Sequence, residues 1–110
     1  MKPKLSEHQI QKQILDWLKA KGIFHWRNNT GAMKGSHKGK GWFMRFGAVG
    51  SPDIFVVHKG DIYGIEVKAP GKFESEEQRQ WGMRLIMAGG YYIVAHSLED
   101  ILNFGADWKH

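Results

Sequence analysis

The stretch that decides the fold runs from Gly50 to Lys68 and reads GSPDIFVVHKGDIYGIEVK. Two short segments in it, residues 54–57 and 62–67, are rich in β-branched and aromatic side chains. Between them lies His58-Lys59-Gly60-Asp61, which has a glycine where a tight turn requires one. The stretch therefore predicts a β-hairpin.

The predicted hairpin brings together three charged residues, Asp53, Glu66 and Lys68. A Lys59-Gly60 loop sets Asp53 opposite Glu66, whereas a Gly60-Asp61 loop sets Asp53 opposite Lys68. In both registers the three side chains share one face, because opposed residues point the same way and Glu66 and Lys68 are two positions apart.

Two carboxylates held side by side repel each other unless a positive charge lies between them. Mg²⁺ or Mn²⁺, both of which prefer oxygen ligands, would supply that charge. The alternative is a solvated sheet face, since this spacing of Asp, Glu and Lys also arises by chance. Ile65 and Val67 make the opposite face apolar, so Glu66 and Lys68 alternate with core residues, which favours a site.

These motifs resemble those of known nucleases. Ser51-Pro52-Asp53 followed by Glu66-Val67-Lys68 is similar to the PD-(D/E)XK nuclease superfamily. Together with Ser6-Glu7, Gln11 and Gln78, they resemble the virus-type replication-repair nuclease (VRR-NUC) domain over nearly the whole chain. The short length is similar to that of the free-standing viral and bacteriophage members.

The resemblance implies a restriction-endonuclease-like fold and hydrolysis of DNA phosphodiesters with Mg²⁺ or Mn²⁺ as cofactor. The implied metal ligands are Glu7, Asp53, Glu66 and the carbonyl of Val67, and the implied catalytic residues are Asp53, Glu66, Lys68 and Gln78. Lys68 would orient the attacking water and offset charge in the transition state. From the residues alone, Glu7 and Gln78 are equally well explained as capping residues at helix starts.

The resemblance also implies a branched DNA substrate and a homodimer. Free-standing members resemble resolvases of four-way junctions, and a two-fold protein on a two-fold junction makes paired cuts. Large apolar residues that could lie at a dimer interface are Trp81, Met83, Met87, Tyr91, Phe104 and Trp108. Three alternatives remain: a flap nuclease of the same fold, cleavage of duplex at a defined sequence, and a DNA-binding module that does not cut.

A basic segment points to a polyanionic partner, because residues 17–49 include no Asp or Glu. The predicted nucleic-acid contacts are Arg27, Asn28, Lys34, Lys38, Lys40 and Arg45. Trp42, Phe43 and Phe46 lie among glycines and could stack on bases or pack on the domain. Residues 28–41 are Gly-rich and polar, so we expect a loop there that could be disordered without DNA. The alternative to a DNA contact is a solvated surface.

Composition agrees with one small domain over residues 1–110 with a formal net charge of +5. Cys is absent, which excludes disulfides and zinc–thiolate clusters. The six His residues show no paired ligand spacing, so a zinc site is not expected. No apolar run approaches a membrane span of about 20 residues. We expect a cytoplasmic protein without a signal peptide, membrane contact or small-molecule cofactor.

Capping and periodicity complete the predicted order α-β-β-β-α-β-α. Ser6 with Gln9, and Ser75 with Gln78, form capping boxes that begin two amphipathic helices. The elements predicted outside the hairpin are helices at 7–21 and 76–88, strands at 23–27 and 91–95, and a short helix after Ser97. This order predicts an α/β domain with one mixed sheet flanked by helices and a parallel crossover through the second helix.

Overall fold

A computed structural model describes residues 4–28 and 31–104, apart from the side chain of Phe46. The elements in these ranges are α1 (Glu7–Ala20), β1 (Phe24–Arg27), β2 (Gly31–His37), β3 (Lys40–Phe46), β4 (Ile54–His58), β5 (Asp61–Val67), α2 (Glu76–Met87), β6 (Tyr91–Ala95) and α3 (Leu98–Leu102). The predicted α/β class is confirmed, and the elements follow the predicted order with one added hairpin, β2–β3. Within the described ranges, every helix is too short or too polar to cross a membrane.

The hairpin predicted from residues 50–68 is present as β4–β5. Ile54 pairs with Ile65 and His58 pairs with Asp61, so Lys59 and Gly60 form a two-residue loop. Both loop residues have positive φ, 51° and 85°, which is the type I′ geometry that matches the twist of the strands. Of the two possible registers, the structure therefore has the one that sets the position of Asp53 opposite Glu66.

The central sheet has the strand order β1-β4-β5-β6. β1 and β5 are antiparallel to β4, whereas β6 is parallel to β5. The chain between β5 and β6 passes through α2, as expected for a parallel crossover. Since β4 begins where β5 ends, Asp53 and Glu66 lie at the same end of the sheet.

One face of the sheet carries the hydrophobic core. α1 places Ile10, Ile14 and Leu18 against it, all fully buried. Its predicted capping box is confirmed, with the Ser6 hydroxyl accepting from the N–H of Gln9. The sheet and α3 contribute Ile54, Val56, Tyr63, Ile65, Val67, Ile93, Ala95 and Ile101. Burial of this stripe fixes the register, because a one-residue slip would turn the core residues outward.

The opposite face packs against α2 through close contacts at two glycines. Gly64 on β5 lies under Pro52 and Leu85, and a Cβ there would be 2.6 Å from Pro52 Cγ. Gly82 on α2 lies against the ring of Tyr92, and a Cβ added to Gly82 would be only 2.4 Å from Cδ2 of that ring. These close approaches hold α2 tightly over β5 and β6, which brings the start of the helix to the end of the sheet.

The prediction of a loop at residues 28–41 is wrong for the part that the structure describes, because residues 31–46 form a second antiparallel hairpin. Gly31 pairs with Phe46 and His37 pairs with Lys40, in a two-stranded sheet separate from the central one. We call β2–β3 the ribbon. Its turn residues Lys38 and Gly39 have φ of 52° and 76°, again the type I′ geometry.

Gly64→Ala tests the close approach beneath α2. The added methyl group meets Pro52 Cγ at 2.6 Å and Leu85 Cδ2 at 2.9 Å, so one of them must shift. Overpacking of this kind costs about 1–3 kcal/mol, and we expect that loss in urea unfolding. Gly41→Ala is the matched control, since its nearest neighbour is 3.9 Å away. Equal stability of the two variants would contradict the packing.

Candidate functional site at the end of the central sheet

Three predicted site residues meet where β4 begins and β5 ends. Asp53 immediately precedes β4, Glu66 is on β5 and Lys68 follows it. Glu66 pairs with Val94 in the register, and its side chain contacts α2, so the site lies on the α2 face of the sheet. The predicted common face for these charges is therefore present.

Asp53 is held by hydrogen bonds to the last residue of β5 and to the residue that follows β1. Its Oδ2 accepts from the N–H of Val67 at 2.8 Å, and its backbone carbonyl accepts from the N–H of Asn28 at 2.7 Å. In a strand, the N–H and C=O of one residue point to the same edge. The carbonyl of Val67 thus points to the edge where the Asp53 carboxylate lies.

Glu66 is a buried carboxylate whose hydrogen bonding is incomplete. Glu66 is only 1% exposed. Oε1 accepts from Nε2 of Gln78 at 3.1 Å, whereas Oε2 is buried and has no hydrogen-bond partner among the described residues. An ionised carboxylate only accepts hydrogen bonds, so Asp53 and Glu66 cannot satisfy each other while both are charged. A shared proton or a cation would remove the conflict.

The electrostatics of the site reflect this burial. Burial, and after it the charge of Asp53, raises the pKa of Glu66 from its ordinary value of 4.5 to about 9. Lys68 lowers the same pKa, and Glu7 raises it slightly. Without a cation, Glu66 therefore holds a proton at neutral pH.

Gln78 performs both of the functions that its sequence position allows. Its Oε1 accepts from the N–H of Ser75 at 2.7 Å, which completes the capping box of α2. Its Nε2 donates to Glu66 at 3.1 Å. The cap thus fixes the amide so that its nitrogen faces the carboxylate.

Asn28 holds the segment that leads to Asp53, a contact that the sequence does not predict. Nδ2 of Asn28 donates to the hydroxyl of Ser51 at 2.6 Å and to the carbonyl of Pro52 at 2.9 Å. Ser51 is itself buried and donates to the carbonyl of Ala48. The sequence signal for this contact is a polar residue on each side of the ribbon-forming segment, Asn28 before it and Ser51 after it. The predicted contact of Asn28 with nucleic acid stays a prediction.

The predicted basic residues are divided between the ribbon and β1. Lys34, Lys38, Lys40 and Arg45 are exposed on the ribbon. Nη1 of Arg45 lies 4.0 Å from Oε1 of Glu77, which links the base of the ribbon to the first turn of α2. Arg27 is also exposed, but it pairs with Ile54 and so lies on the α1 face, away from Asp53 and Glu66.

The residues fit a hard divalent cation, which prefers oxygen ligands. Two adjacent carboxylates and the carbonyl of Val67 form an all-oxygen donor set, and one carboxylate oxygen is buried without a hydrogen-bond partner in the part of the chain that the structure describes. Glu7 begins α1 and acts on Glu66 through its charge. Within residues 4–28 and 31–104, however, no three Asp, Glu or His side chains are grouped as metal ligands. The ligand role of Glu7 stays a prediction.

The chain matches no protein-family model, and a search of curated proteins finds no significant match. Its function is therefore inferred from the chemistry of the residues themselves.

The raised pKa of Glu66 predicts how the stability of the metal-free protein changes with pH. Between about 4.5 and 9 the folded protein holds one proton that the unfolded chain has lost, so stability falls as pH rises through this window. Relative to Glu66→Gln, the wild type should lose about 1–3 kcal/mol between pH 6 and pH 8. Urea unfolding in EDTA measures the difference.

Glu99→Gln is the control for this measurement, because Glu99 is an exposed residue on α3. Its profile should follow that of the wild type. If wild type and Glu66→Gln have parallel profiles, Glu66 is not buried beside a second carboxylate.

Proposed function

We propose that this chain is a Mg²⁺- or Mn²⁺-dependent endonuclease that hydrolyses phosphodiester bonds in DNA. The observation that carries the proposal is the buried Glu66 carboxyl beside Asp53 and on the same face as Lys68, with one oxygen that has no hydrogen-bond partner within residues 4–28 and 31–104. Without a cation, a proton on Glu66 relieves the repulsion between this carboxyl and Asp53. A catalytic cation would take the place of that proton and would give the buried pair of carboxylates a function.

Asp53, Glu66 and the carbonyl of Val67 would hold the cation. When bound, such an ion polarises the scissile phosphate and lowers the pKa of water. Binding would displace the proton from Glu66, so affinity for the ion should increase with pH. Gln78, through its hydrogen bond to Oε1, would keep Glu66 oriented while this happens.

Lys68 would act on the reacting phosphate. Its ammonium group is close enough to Glu66 to lower the pKa of that carboxyl, and its residue is partly exposed at the end of β5. From there it would orient the attacking water and offset negative charge that develops on the phosphate oxygens. Lys68 would thus act as a positively charged hydrogen-bond donor that is already in position before the reaction begins.

We further propose that the substrate is branched, with a four-way junction cut by a homodimer as the leading case and a flap as the alternative. Support for a DNA partner comes from the exposed cations of the ribbon and the net charge of +5. Among the candidate interface residues, those exposed are Met83, Met87, Tyr91 and Phe104. Trp81 is half-buried, and Trp108 lies outside the described residues. A cytoplasmic location remains part of the proposal.

A DNA-binding module that does not cut is the competing function. Such a module has no reason to bury one carboxylate beside another on a surface that approaches phosphate, because both groups repel the ligand. The Asp53–Glu66 pair therefore favours the nuclease.

The direct test is cleavage of labelled four-way junction, 5′ flap, single strand and linear duplex with Mg²⁺ or Mn²⁺. We expect metal-dependent paired cuts in the junction for the wild type and none for Asp53→Asn, purified in parallel. Predominant cutting of flaps would change the substrate within the same function. Binding of all four without any cutting would overturn the nuclease in favour of the binding module.

Lys68→Ala tests the assigned role of the lysine. Removing the ammonium group should lower the cleavage rate by about 10²-fold or more, the range for a lost transition-state donor, with little change in DNA affinity. Lys72→Ala is the matched control, an exposed lysine four residues further along the chain. Full single-turnover activity of Lys68→Ala would remove Lys68 from the mechanism.

Gln78→Glu separates the two functions of this side chain. Glutamate keeps the capping box, since Glu and Gln both serve at that position, but it cannot donate to Glu66. We expect unchanged helix content by circular dichroism and about tenfold tighter Mn²⁺ binding, because a third carboxylate beside Glu66 adds repulsion that the cation relieves. Calorimetric titration with Mn²⁺ measures the affinity. An unaltered affinity would mean that the side chain at position 78 does not face the metal site.

A further inference from the structure

The ribbon is a projecting arm with regular geometry. Each of its strands has seven residues, which corresponds to a length of about 24 Å at the usual rise of a β-strand. The radius of gyration of the chain is 15.8 Å, whereas a compact domain of this size has about 13 Å. The ribbon forms a sheet separate from the central one, which agrees with this larger extent.

Little of the ribbon surface is covered by the rest of the described chain. In the ribbon, Gly35 alone is partly buried among the residues whose side chains are described. A two-stranded hairpin is only marginally stable by itself in water. An exposed hairpin with a defined register and a tight turn is therefore suited to pack against a partner.

The two faces of the ribbon differ in chemistry. One carries Lys34, Phe43 and Arg45, with the guanidinium of Arg45 5.9 Å from the centre of the Phe43 ring. The other carries Met33, Trp42 and Met44, all at least 43% exposed. The tip adds two more cations, Lys38 and Lys40. Cations therefore run from the base of the ribbon to its tip with no acidic residue between them.

We propose that the ribbon enters the major groove of a B-form DNA duplex beside the bond that is cut. This inference rests on the proposed function. A major groove about 12 Å wide accepts a two-stranded β-ribbon, whereas a minor groove about 6 Å wide is too narrow. The length of the ribbon spans most of one turn of the duplex, which places its cations along both phosphate backbones.

The base of the ribbon explains why this contact would serve cleavage. The ribbon begins after Asn28, and Asn28 holds Ser51 and Pro52 immediately before Asp53. Arg45 at its other end reaches Glu77 in the first turn of α2, one residue from Gln78. A duplex gripped by the ribbon would thus be positioned relative to the carboxylates through short, hydrogen-bonded connections.

The two type I′ turns provide a matched pair of variants. Lys38 and Lys59 both occupy the first turn position, with φ of 52° and 51°, but Lys59 lies at the end of the sheet remote from Asp53. Asparagine is favoured at this position, so Lys38→Asn and Lys59→Asn each remove one charge without disrupting the turn.

The experiment is anisotropy of labelled linear duplex in EDTA, where binding is measured without cleavage. Lys38→Asn should weaken binding about fivefold at 0.15 M salt and reduce the salt slope by about 0.9, as for one lost phosphate contact. Lys59→Asn should bind like the wild type. Equal effects of the two variants, or none from either, would overturn the proposal.

The groove is tested with two altered duplexes. RNA duplex of the same sequence has a deep, narrow major groove that a ribbon cannot enter, and DNA with bulky groups at pyrimidine C5 has an obstructed one. Both should bind the wild type at least tenfold more weakly than plain DNA, and Lys38→Asn should discriminate less. Equal affinity for plain and altered duplexes would exclude groove entry.

Two further outcomes separate this proposal from its alternatives. Tighter binding to single strand than to duplex, lost in Phe43→Ala, would replace groove entry by base stacking. Altered sedimentation of Lys38→Asn with unaltered DNA affinity would make the ribbon a contact between copies of the chain. The cleavage assay is independent: duplex bound through the ribbon but never cut overturns the nuclease alone.

Discussion

One electrostatic constraint stands out in the structure, two carboxylates brought together at the end of the central sheet, on its α2 face. Asp53 and Glu66 are close enough for each other's charge to matter, and burial removes the solvent that would screen it. Three neighbours hold the pair in place: the N–H of Val67 fixes Asp53, the amide of Gln78 fixes Glu66, and Asn28 fixes the chain before Asp53. Such support for an unfavourable pair is what a preorganised binding site requires.

The fold could be predicted where local turn chemistry and burial agreed. His58-Lys59-Gly60 lies between two apolar segments, so the hairpin β4–β5 and its two possible registers followed directly from the sequence. His37-Lys38-Gly39 has the same three residues and forms the same turn. The sequence does not predict this turn, because its flanking strands contain Gly, Lys and Ser and bury little. Their pairing is defined by the turn and the ladder, and hydrophobic alternation gives no signal of it.

The part of the site that follows from the alternation of side chains along strands could be predicted. Two-residue periodicity placed Glu66 and Lys68 on one face, and the hairpin added Asp53. Contacts between distant segments were not predictable: Asn28 and Ser51 are separated by the whole ribbon, and Gln78 meets Glu66 only because α2 packs closely over β5. From the sequence, capping and site contact are alternative roles for Gln78. In the structure the side chain has both, because its amide oxygen accepts from Ser75 and its amide nitrogen donates to Glu66.

The position of the ribbon in the chain has an evolutionary consequence. It is inserted between β1 and β4, adjacent antiparallel strands, and its two ends are joined by the hydrogen bond of 2.6 Å between Asn28 and Ser51. A segment whose ends meet can be lengthened, shortened or exchanged with little effect on the strands that flank it. Selection could therefore remodel this arm while the buried pair of carboxylates at the sheet end is inherited unaltered.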